Sequence, residues 1–353
     1  MRKLIFLVLI VLFAAYAGWA ERRPVNHYLS DLRSEVALNL GTPAEHGNLL
    51  GIQPELFPQD YQSVERLRLK FAAYLEKARS EGLLNERTVV VFPEHIGTWL
   101  VATGEKPEVY RATRLNEAME WMAVSNPLKL ARGWLGAKGD DRLADALLRM
   151  KSVDMAHDYQ TLFGGLAREF GVTVVAGSII LPSPRISEGQ LQTGNGRLYS
   201  ISVVFGSNGL PIGKPQRKVF PSDAEKGFTR AGDLDDLQVL PTPAGRLGVL
   251  ICADSWRPAS YAALAAGKPE IIAVPASMGS NGRWQHPDAG SNAWDSPALA
   301  SRLGESGAHA GIAVFLRGQL WDLGSHGRSL VATPAGPQLA EDGRGARLIN
   351  LWL

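Results

Sequence analysis

Short apolar runs alternate with amphipathic segments along most of the chain. Residues 48–53, 88–93 and 247–251 are largely apolar, which is typical of strands buried on both faces. Over residues 61–80 and 152–170, apolar side chains recur at spacings of three and four, which predicts two amphipathic helices. Strands that alternate with helices in this way predict a layered α/β domain.

The same patterns predict the remaining elements. A long loop with many charges and little periodicity is expected at residues 214–232. Further strands are expected at 172–181, 198–205, 270–275, 311–316, 328–333 and 347–352, a marginal strand at 36–40, and helices at 115–124, 141–150, 259–266 and 296–305.

The N-terminus carries a long apolar run. Arg2 and Lys3 precede residues 4–20, which are uncharged and mostly apolar. Residues 1–20 are therefore either a secretory signal peptide or a single membrane anchor. A small-residue pattern ending at Ala20 suits cleavage, whereas Trp19 suits an anchor at the membrane interface. Both interpretations place the bulk of the protein outside the cytoplasm, which means the periplasm in a Gram-negative cell.

Composition narrows the classes of function. The chain has 353 residues, of which 45% are hydrophobic and 20% charged, enough for one large α/β domain. The net charge of +2 predicts no nucleic-acid partner. Seven histidines and one cysteine show no metal-ligand spacing, so no metal is expected. Residues 21–47 are polar and predict a linker before a domain at 48–353.

The only cysteine, Cys252, falls between the predicted strand 247–251 and a helix that Pro258 opens. A turn at this place exposes a side chain at the end of a sheet. The nearby helix start favours the thiolate, which is the nucleophilic form. A free cysteine is more often a small buried hydrophobe, so position alone leaves both interpretations open.

Glu94 directly follows the apolar run 88–93. Burying a carboxylate there without a partner costs several kcal/mol. Glu94 is therefore either a surface turn or capping residue, or a general base with a raised pKa.

The segment 95–151 mixes tryptophans with arginines and lysines. Such a mixture suits a lid or a membrane surface. It is more often a set of helices packed on a core, with cations that extend to solvent, and we favour that interpretation.

Three stretches stand at the ends of predicted strands. They are Phe92-Pro93-Glu94, Arg217-Lys218-Val219-Phe220-Pro221 with Glu225, and Gly248-Val249-Leu250-Ile251-Cys252-Ala253-Asp254. In this order the three stretches resemble the nitrilase, or carbon–nitrogen hydrolase, family. The resemblance covers about residue 48 to the C-terminus and implies a four-layer α-β-β-α sandwich, an α/β (α+β) fold, with the N-terminal hydrophobic helix outside it and an insertion within 95–151.

The resemblance implies a catalytic triad of Glu94, Lys218 and Cys252 that needs no cofactor. Glu225 matches a second family glutamate that supports the lysine or the substrate. The N–H of Ala253 is a candidate oxyanion donor. Lys214 and Lys226, in the same loop as Lys218, are interpreted as solvated charges. Residues expected near the substrate are His95, Trp256, Ser277 and Met278.

Three functions remain open on the sequence. The first is hydrolysis of non-peptide carbon–nitrogen bonds in small amides, in which the cysteine forms a thioester acyl-enzyme and splits one hard step into two. The second is transfer of an acyl group onto an amine, as in the lipoprotein N-acyltransferase branch, which the hydrophobic N-terminus and the Trp-rich segment motivate. The third is a tethered scaffold without turnover. A papain-like Cys/His pair ranks lower, and the resemblance also implies a homo-oligomer through the helix after Cys252.

Overall fold

The computed structural model describes residues 2–23, 28–281 and 299–353. Helices and strands are numbered in chain order. The helices are α1 (Arg2–Glu21), α2 (Val64–Ser80), α3 (Pro107–Arg111), α4 (Leu115–Ser125), α5 (Pro127–Gly136), α6 (Arg142–Phe170), α7 (Pro258–Ala265) and α8 (Leu299–Arg302). Shorter 3-10 helices cover Pro58–Gln62, Thr98–Ala102, Leu234–Asp236, Cys252–Trp256 and Leu303–Ser306.

The strands form two large sheets and two small ones. They are β1 (Ser34–Leu40), β2 (Asn48–Gln53), β3 (Glu55–Leu56), β4 (Thr88–Val91), β5 (Thr173–Val175), β6 (Ile179–Pro182), β7 (Arg185–Ser187), β8 (Gln190–Gln192), β9 (Leu198–Phe205), β10 (Pro211–Arg217), β11 (Val239–Thr242), β12 (Gly245–Val249), β13 (Ile271–Ala276), β14 (Gly279–Asn281), β15 (Ala310–Phe315), β16 (Arg317–Leu320), β17 (Leu323–Ser325), β18 (Leu330–Thr333), β19 (Gly336–Leu339) and β20 (Ala346–Trp352).

The first large sheet has the order β1-β20-β2-β4-β5-β9-β10, with β6 also paired to β9. The second has the order β11-β12-β13-β15-β18-β19. Strands β2, β4 and β5 run parallel in the first sheet, as β12, β13 and β15 do in the second. The carboxyl ends of parallel strands lie at one edge of a sheet, so the loops after them lie near one another.

The two large sheets pack face to face and are covered by helices on both outer sides. Val89 and Leu49 of the first sheet share a buried apolar cluster with Val249 and Ile312 of the second. A second cluster joins the first sheet to α2 and α6, and a third joins the second sheet to α7 and α8. The expected α-β-β-α sandwich is therefore confirmed, and the apolar helix α1 lies at its N-terminal end.

Two predicted helices are one continuous helix. The pattern indicated separate helices at 141–150 and 152–170, whereas α6 runs through both. The polar pair Lys151 and Ser152 interrupts the apolar pattern but is buried, and the Lys151 ammonium lies 2.7 Å from a Glu105 carboxylate oxygen. A buried ion pair thus stands where the sequence suggested a break.

Other differences arise from turns and edge strands. The strand predicted at 172–181 is divided into β5 and β6 by Gly177, which has a φ of +74°. The loop predicted at 214–232 begins as the edge strand β10, whose side chains are mostly solvent-accessible and gave no apolar pattern. The marginal strand predicted at 36–40 is confirmed as β1, and its pairing with β20 makes this part of the predicted linker a strand of the first sheet.

The helix predicted at 296–305 appears as α8 followed by the 3-10 helix Leu303–Ser306. Its first residues, 296–298, lie outside the described residues.

The segment 95–151 contains α3, α4 and α5 and packs onto the first sheet's outer layer. Val109 and Met122 are buried in the same apolar cluster as α2 and α6. The inner faces of these helices are therefore core, as the favoured interpretation expected. The range Lys3–Glu21 in α1 is long and apolar enough to cross a membrane, a property that signal sequences share.

Candidate active site

Three side chains from the ends of different strands meet between the sheets. Glu94 follows β4 and Lys218 follows β10 in the first sheet, while Cys252 follows β12 in the second. The Glu94 N–H donates a 3.2 Å hydrogen bond to the carbonyl of Ala276, at the end of β13. This contact joins the two sheets at the position where the candidate residues converge.

Lys218 lies between two buried carboxylates. Its Nζ is 2.7 Å from Glu94 Oε1 and 2.5 Å from Glu225 Oε2, and all three side chains are buried. Burial by itself lowers the pKa of the Lys218 ammonium, but the charges of Glu94 and Glu225 outweigh it and raise that pKa overall. Lys218 is therefore a permanent cation in the site.

Glu225 is fixed by its own loop. The backbone N–H and the hydroxyl of Ser222 both donate to Glu225 Oε2 at 2.8 Å. Burial raises the pKa of Glu225, but His95, Lys218 and Ser222 together lower it below its usual value. The other oxygen, Oε1, has no hydrogen-bond partner among the described residues.

Cys252 stands on a strained turn. Its φ is +45°, which is unfavourable for a residue with a Cβ atom, and it begins the 3-10 helix Cys252–Trp256. The Ser255 hydroxyl donates to the Cys252 carbonyl at 2.7 Å, and the Cys252 Sγ lies 3.4 Å from the Ser277 carbonyl oxygen. The turn presents the sulfur to the site instead of burying it within β12.

The pKa of Cys252 is raised, so the expectation that the helix start favours a thiolate is wrong. Burial makes the largest contribution, the Glu94 carboxylate raises the pKa further, and Lys218 offsets only part of this effect. The site therefore favours the thiol form of Cys252 beside the Glu94 carboxylate.

Asp254 also belongs to the site, which the sequence did not predict. Its buried Oδ1 accepts hydrogen bonds from the N–H groups of Val219 at 3.0 Å and Phe220 at 2.7 Å. Burial raises the pKa of Asp254 to about 7, although these two N–H groups favour the ionised form. The sequence feature that could have identified Asp254 is its position two residues after Cys252 in the same motif.

Gly177 and Ser178 shape the turn that carries Glu94. A Cβ atom at Gly177 would lie 2.1 Å from the Pro93 carbonyl oxygen. The Ser178 hydroxyl accepts a 2.8 Å hydrogen bond from the N–H of His95, whose φ is +60°. The β5–β6 turn therefore fixes the backbone on both sides of Glu94.

The four residues expected near the substrate lie in different surroundings. His95 Nε2 is 3.9 Å from Glu94 Oε2 and 3.8 Å from Glu225 Oε1, so its ring borders both carboxylates. Ser277 reaches the cysteine through its carbonyl, while Met278 packs against the apolar cluster under α7. Trp256 is 42% exposed on the 3-10 helix that Cys252 begins.

Ala253 occupies the first turn of that 3-10 helix. Backbone N–H groups in a first helical turn have no partner within the helix and are available to an anion. Its position is therefore compatible with the expected oxyanion donor.

Ligand atoms of Glu94, His95 and Glu225 lie within 4.8 Å of one another, a spacing at which a metal ion could bind. The Lys218 ammonium is already hydrogen-bonded to both carboxylates, so a metal ion would compete with a resident cation. The cluster is therefore organised as an ion-pair network.

The α-β-β-α sandwich thus brings the buried Glu94, Lys218 and Glu225 together with Cys252 at the ends of its strands. Residues 142–347 match the family described as carbon-nitrogen hydrolase, and the chain belongs to that family. Nitrilase 2 and Nitrilase 1 of Arabidopsis thaliana are each 34% identical over 88 residues. These matches span 25% of this chain and 25% of each relative.

Solved structures resemble nearly the whole chain. An amidase from Nesterenkonia sp. has a TM-score of 0.55 and 17% identity, covering 89% of this chain and 93% of its own. A carbon-nitrogen hydrolase from Helicobacter pylori G27 has a TM-score of 0.55 and 18% identity, covering 87% of this chain and 89% of its own. At such identities the likeness establishes the fold.

Proposed function

We propose that the chain is an amidase-type hydrolase of non-peptide carbon–nitrogen bonds in small molecules, with Cys252 as nucleophile, Glu94 as general base and Lys218 as electrostatic partner. The observation that carries the proposal is the bridge that the buried Lys218 ammonium makes between Glu94 and Glu225 beside the Cys252 thiol. Family membership and the amidase among the structural relatives support the reaction class.

In the first half of the cycle, the Cys252 thiol gives its proton to Glu94 as the sulfur attacks the amide carbon. The carbonyl oxygen becomes an oxyanion that the Lys218 ammonium and the Ala253 N–H stabilise. Collapse of this intermediate breaks the carbon–nitrogen bond. Glu94 returns its proton to the leaving nitrogen, and a thioester remains on Cys252.

In the second half, Glu94 takes a proton from water as the water oxygen attacks the thioester. The carbon–sulfur bond then breaks, the acid is released, and Glu94 returns the proton to the sulfur. Loss of one oxyanion donor raises such a barrier by about 2.7–4 kcal/mol. Glu225 keeps Lys218 in position, because its second hydrogen bond holds the ammonium near Glu94.

The raised pKa of the Cys252 thiol supports this order of events. A resting thiolate next to the Glu94 carboxylate would put two negative charges together in a buried place. Transfer of the proton to Glu94 as the sulfur attacks avoids that state. A Nesterenkonia amidase with glutamate replaced by glutamine was solved with the acetamide moiety of fluoroacetamide added covalently at its active-site cysteine, which fits the proposed nucleophile.

A second candidate is acyl transfer, in which an amine replaces water in the second half. The apolar helix α1 favours it, because a membrane-anchored domain meets acyl donors in the lipid. Of the two roles open to α1, a cleaved signal peptide and a membrane anchor, both proposals take the anchor. The catalytic domain then lies outside the cytoplasm, and α7, the helix after Cys252, is the contact of a homo-oligomer.

The deciding experiment is an activity screen with aliphatic amides, nitriles, N-carbamoyl compounds and lipidated peptides, with and without a labelled amine acceptor. We expect release of acid and ammonia or amine, without acylated acceptor. Cys252→Ala should abolish turnover while circular dichroism stays unchanged. Full activity in Cys252→Ala would contradict the proposed nucleophile, and a labelled acylated amine would establish the second candidate.

A further inference from the structure

The outer face of α5 is apolar although it faces solvent. Leu128 is 80% exposed and Leu135 is 87% exposed, with the exposed Ala131 between them at helical spacing. On the opposite face, Gly133 packs closely on α6, since a Cβ atom there would lie 2.3 Å from the Ala146 carbonyl oxygen. The helix therefore turns Gly133 and Leu130 toward the core but leaves Leu128 and Leu135 in solvent, where a water-facing helix normally carries polar residues.

Cations and a tryptophan accompany this apolar face. Lys129 and Arg132 are exposed on α5, and the Lys129 ammonium lies 4.0 Å from a carboxylate oxygen of the exposed Asp154. Trp134 is 42% exposed and lies beneath the Arg142 guanidinium, 5.3 Å from the ring centre. Apolar side chains flanked by cations and tryptophan are typical of helices that lie in the interface of a bilayer.

The apolar helix α1 ends beside the junction between α4 and α5. The Tyr16 hydroxyl donates to the Val124 carbonyl at 2.6 Å, and the Lys106 ammonium lies 4.2 Å from the centre of the Trp19 ring. Arg23 donates to the Asn126 side-chain oxygen at 3.1 Å, one residue before α5 begins. These contacts fix the end of a membrane-length helix to the start of the exposed apolar face.

We propose that the outer face of α5, formed by Leu128, Lys129, Ala131, Arg132 and Leu135, lies on the surface of an anionic bilayer that α1 crosses. The partner is the lipid surface itself: the leucines enter the acyl boundary and the two cations meet anionic headgroups. This inference rests on the membrane location proposed above for α1.

The segment after α5 links the proposed membrane contact to the active site. The Asp141 N–H donates a 2.9 Å hydrogen bond to the Gly227 carbonyl, in the loop that carries Glu225. A Cβ atom at Gly139 would lie 2.8 Å from the Cα of Phe228 in that loop. The segment after α5 is thus packed against the loop that carries Glu225. Contact of α5 with the bilayer therefore holds this loop in one orientation relative to the lipid.

The test uses the full chain with Cys252→Ser, so that a new cysteine is the only labelling site. Leu128→Cys or Leu135→Cys is labelled with the fluorophore NBD and reconstituted in vesicles of phosphatidylcholine and phosphatidylglycerol. The matched control is Leu69→Cys on α2, which is 61% exposed on another helix. We expect blue-shifted emission that brominated lipids quench at positions 128 and 135, and water-like emission at position 69.

Water-like emission at 128 and 135 in protein that floats with the vesicles would overturn the α5 contact and leave the α1 anchor standing. Protein that fails to float with the vesicles would overturn both. Lys129→Glu with Arg132→Glu should abolish the blue shift at position 135, whereas Lys226→Glu should not. An unchanged blue shift in the double variant would contradict the anionic-lipid contact.

Discussion

The Asp254 carboxylate accepts a 2.7 Å hydrogen bond from the N–H of Phe220, two residues after Lys218. Asp254 itself follows Cys252 by two residues. A single buried carboxylate therefore joins the turn that carries the nucleophile to the turn that carries the cation. The distance between sulfur and ammonium depends on this link, although Asp254 makes no contact with the reacting atoms in the proposed cycle.

The first prediction concerns the pH dependence of stability. The folded pKa of Asp254, about 7, lies above the unfolded value of about 3.9. The neutral carboxyl therefore stabilises the fold below about pH 4, and this contribution is lost as the pH rises through about 7. In Asp254→Asn, which cannot ionise, the unfolding free energy should lack this decline.

Urea denaturation of both proteins between about pH 4 and 8 measures this difference, because the midpoint reports the unfolding free energy at each pH. Asp235→Asn, an exposed aspartate, is the matched control and should keep the wild-type pH dependence. Equal pH slopes in wild type and Asp254→Asn would contradict the raised pKa.

The second prediction separates two roles of Glu94. Its charge raises the pKa of the Cys252 thiol, so Glu94→Gln should lower that pKa and leave Lys218 as the nearest charge. Alkylation by iodoacetamide at neutral pH should therefore become faster. Amide turnover should fall by about 10²-fold or more, because the proposed general base is lost.

Alkylation rates against pH, followed by mass spectrometry, measure the shift. The wild-type rate should rise only at alkaline pH, and the curve for Glu94→Gln should move to lower pH. Glu76→Gln, on the exposed side of α2, should leave both the curve and turnover unchanged. A curve that moves to higher pH in Glu94→Gln would show that Glu94 does not face the thiol.

The third prediction concerns the buried ion network. Lys218→Met leaves Glu94 and Glu225 buried without their cation, and removal of one partner of a buried pair costs about 3–5 kcal/mol. Lys226→Met removes an exposed lysine from the same loop and should cost less than about 0.5 kcal/mol. Urea denaturation distinguishes the two variants.

The pH dependence gives a further check on Lys218→Met. The folded pKa of Glu225 is lowered in the wild type, so its stabilising contribution is present above the unfolded pKa and is lost as the pH falls. In the variant, the charge of Lys218 no longer opposes burial, although His95 and Ser222 still do, so protonation of Glu225 should cost less stability than in the wild type. The free energies of unfolding of the wild type and of Lys218→Met should therefore converge as the pH falls. A difference between these two free energies that grows as the pH falls would argue against the ion pairs.

Local patterns in the sequence predict the layers, and the family resemblance points to the three candidate residues at strand ends. The buried strands β2, β4 and β12 are nearly uninterrupted apolar runs, and Glu94, Lys218 and Cys252 each stand directly at or just after a strand end. What the sequence could not supply depends on contacts between distant segments. Asp254 accepts hydrogen bonds from a loop about 35 positions away, and the polar residue Lys151 inside α6 is buried in an ion pair with the distant Glu105.

The direction of the Cys252 pKa was also out of reach. A helix start next to a cysteine suggests a thiolate, but the opposing effect comes from burial and from Glu94, a residue in the other sheet. Only the packing of the two sheets decides which of these influences is larger.

The last prediction concerns the turn that positions Glu94. Gly177→Ala forces a Cβ atom against the Pro93 carbonyl and also strains a backbone with a φ of +74°. Gly171→Ala has nearly the same backbone strain, with a φ of +69°, but meets no atom within 4 Å. The control should therefore lose about 1–2 kcal/mol of stability and keep its activity. Gly177→Ala should lose more stability, and its kcat should fall in the protein that remains folded, because the clash displaces Pro93 and with it the general base. Thermal denaturation and single-substrate kinetics measure both effects, and equal losses in the two variants would show that the close approach of Gly177 to Pro93 does not position Glu94.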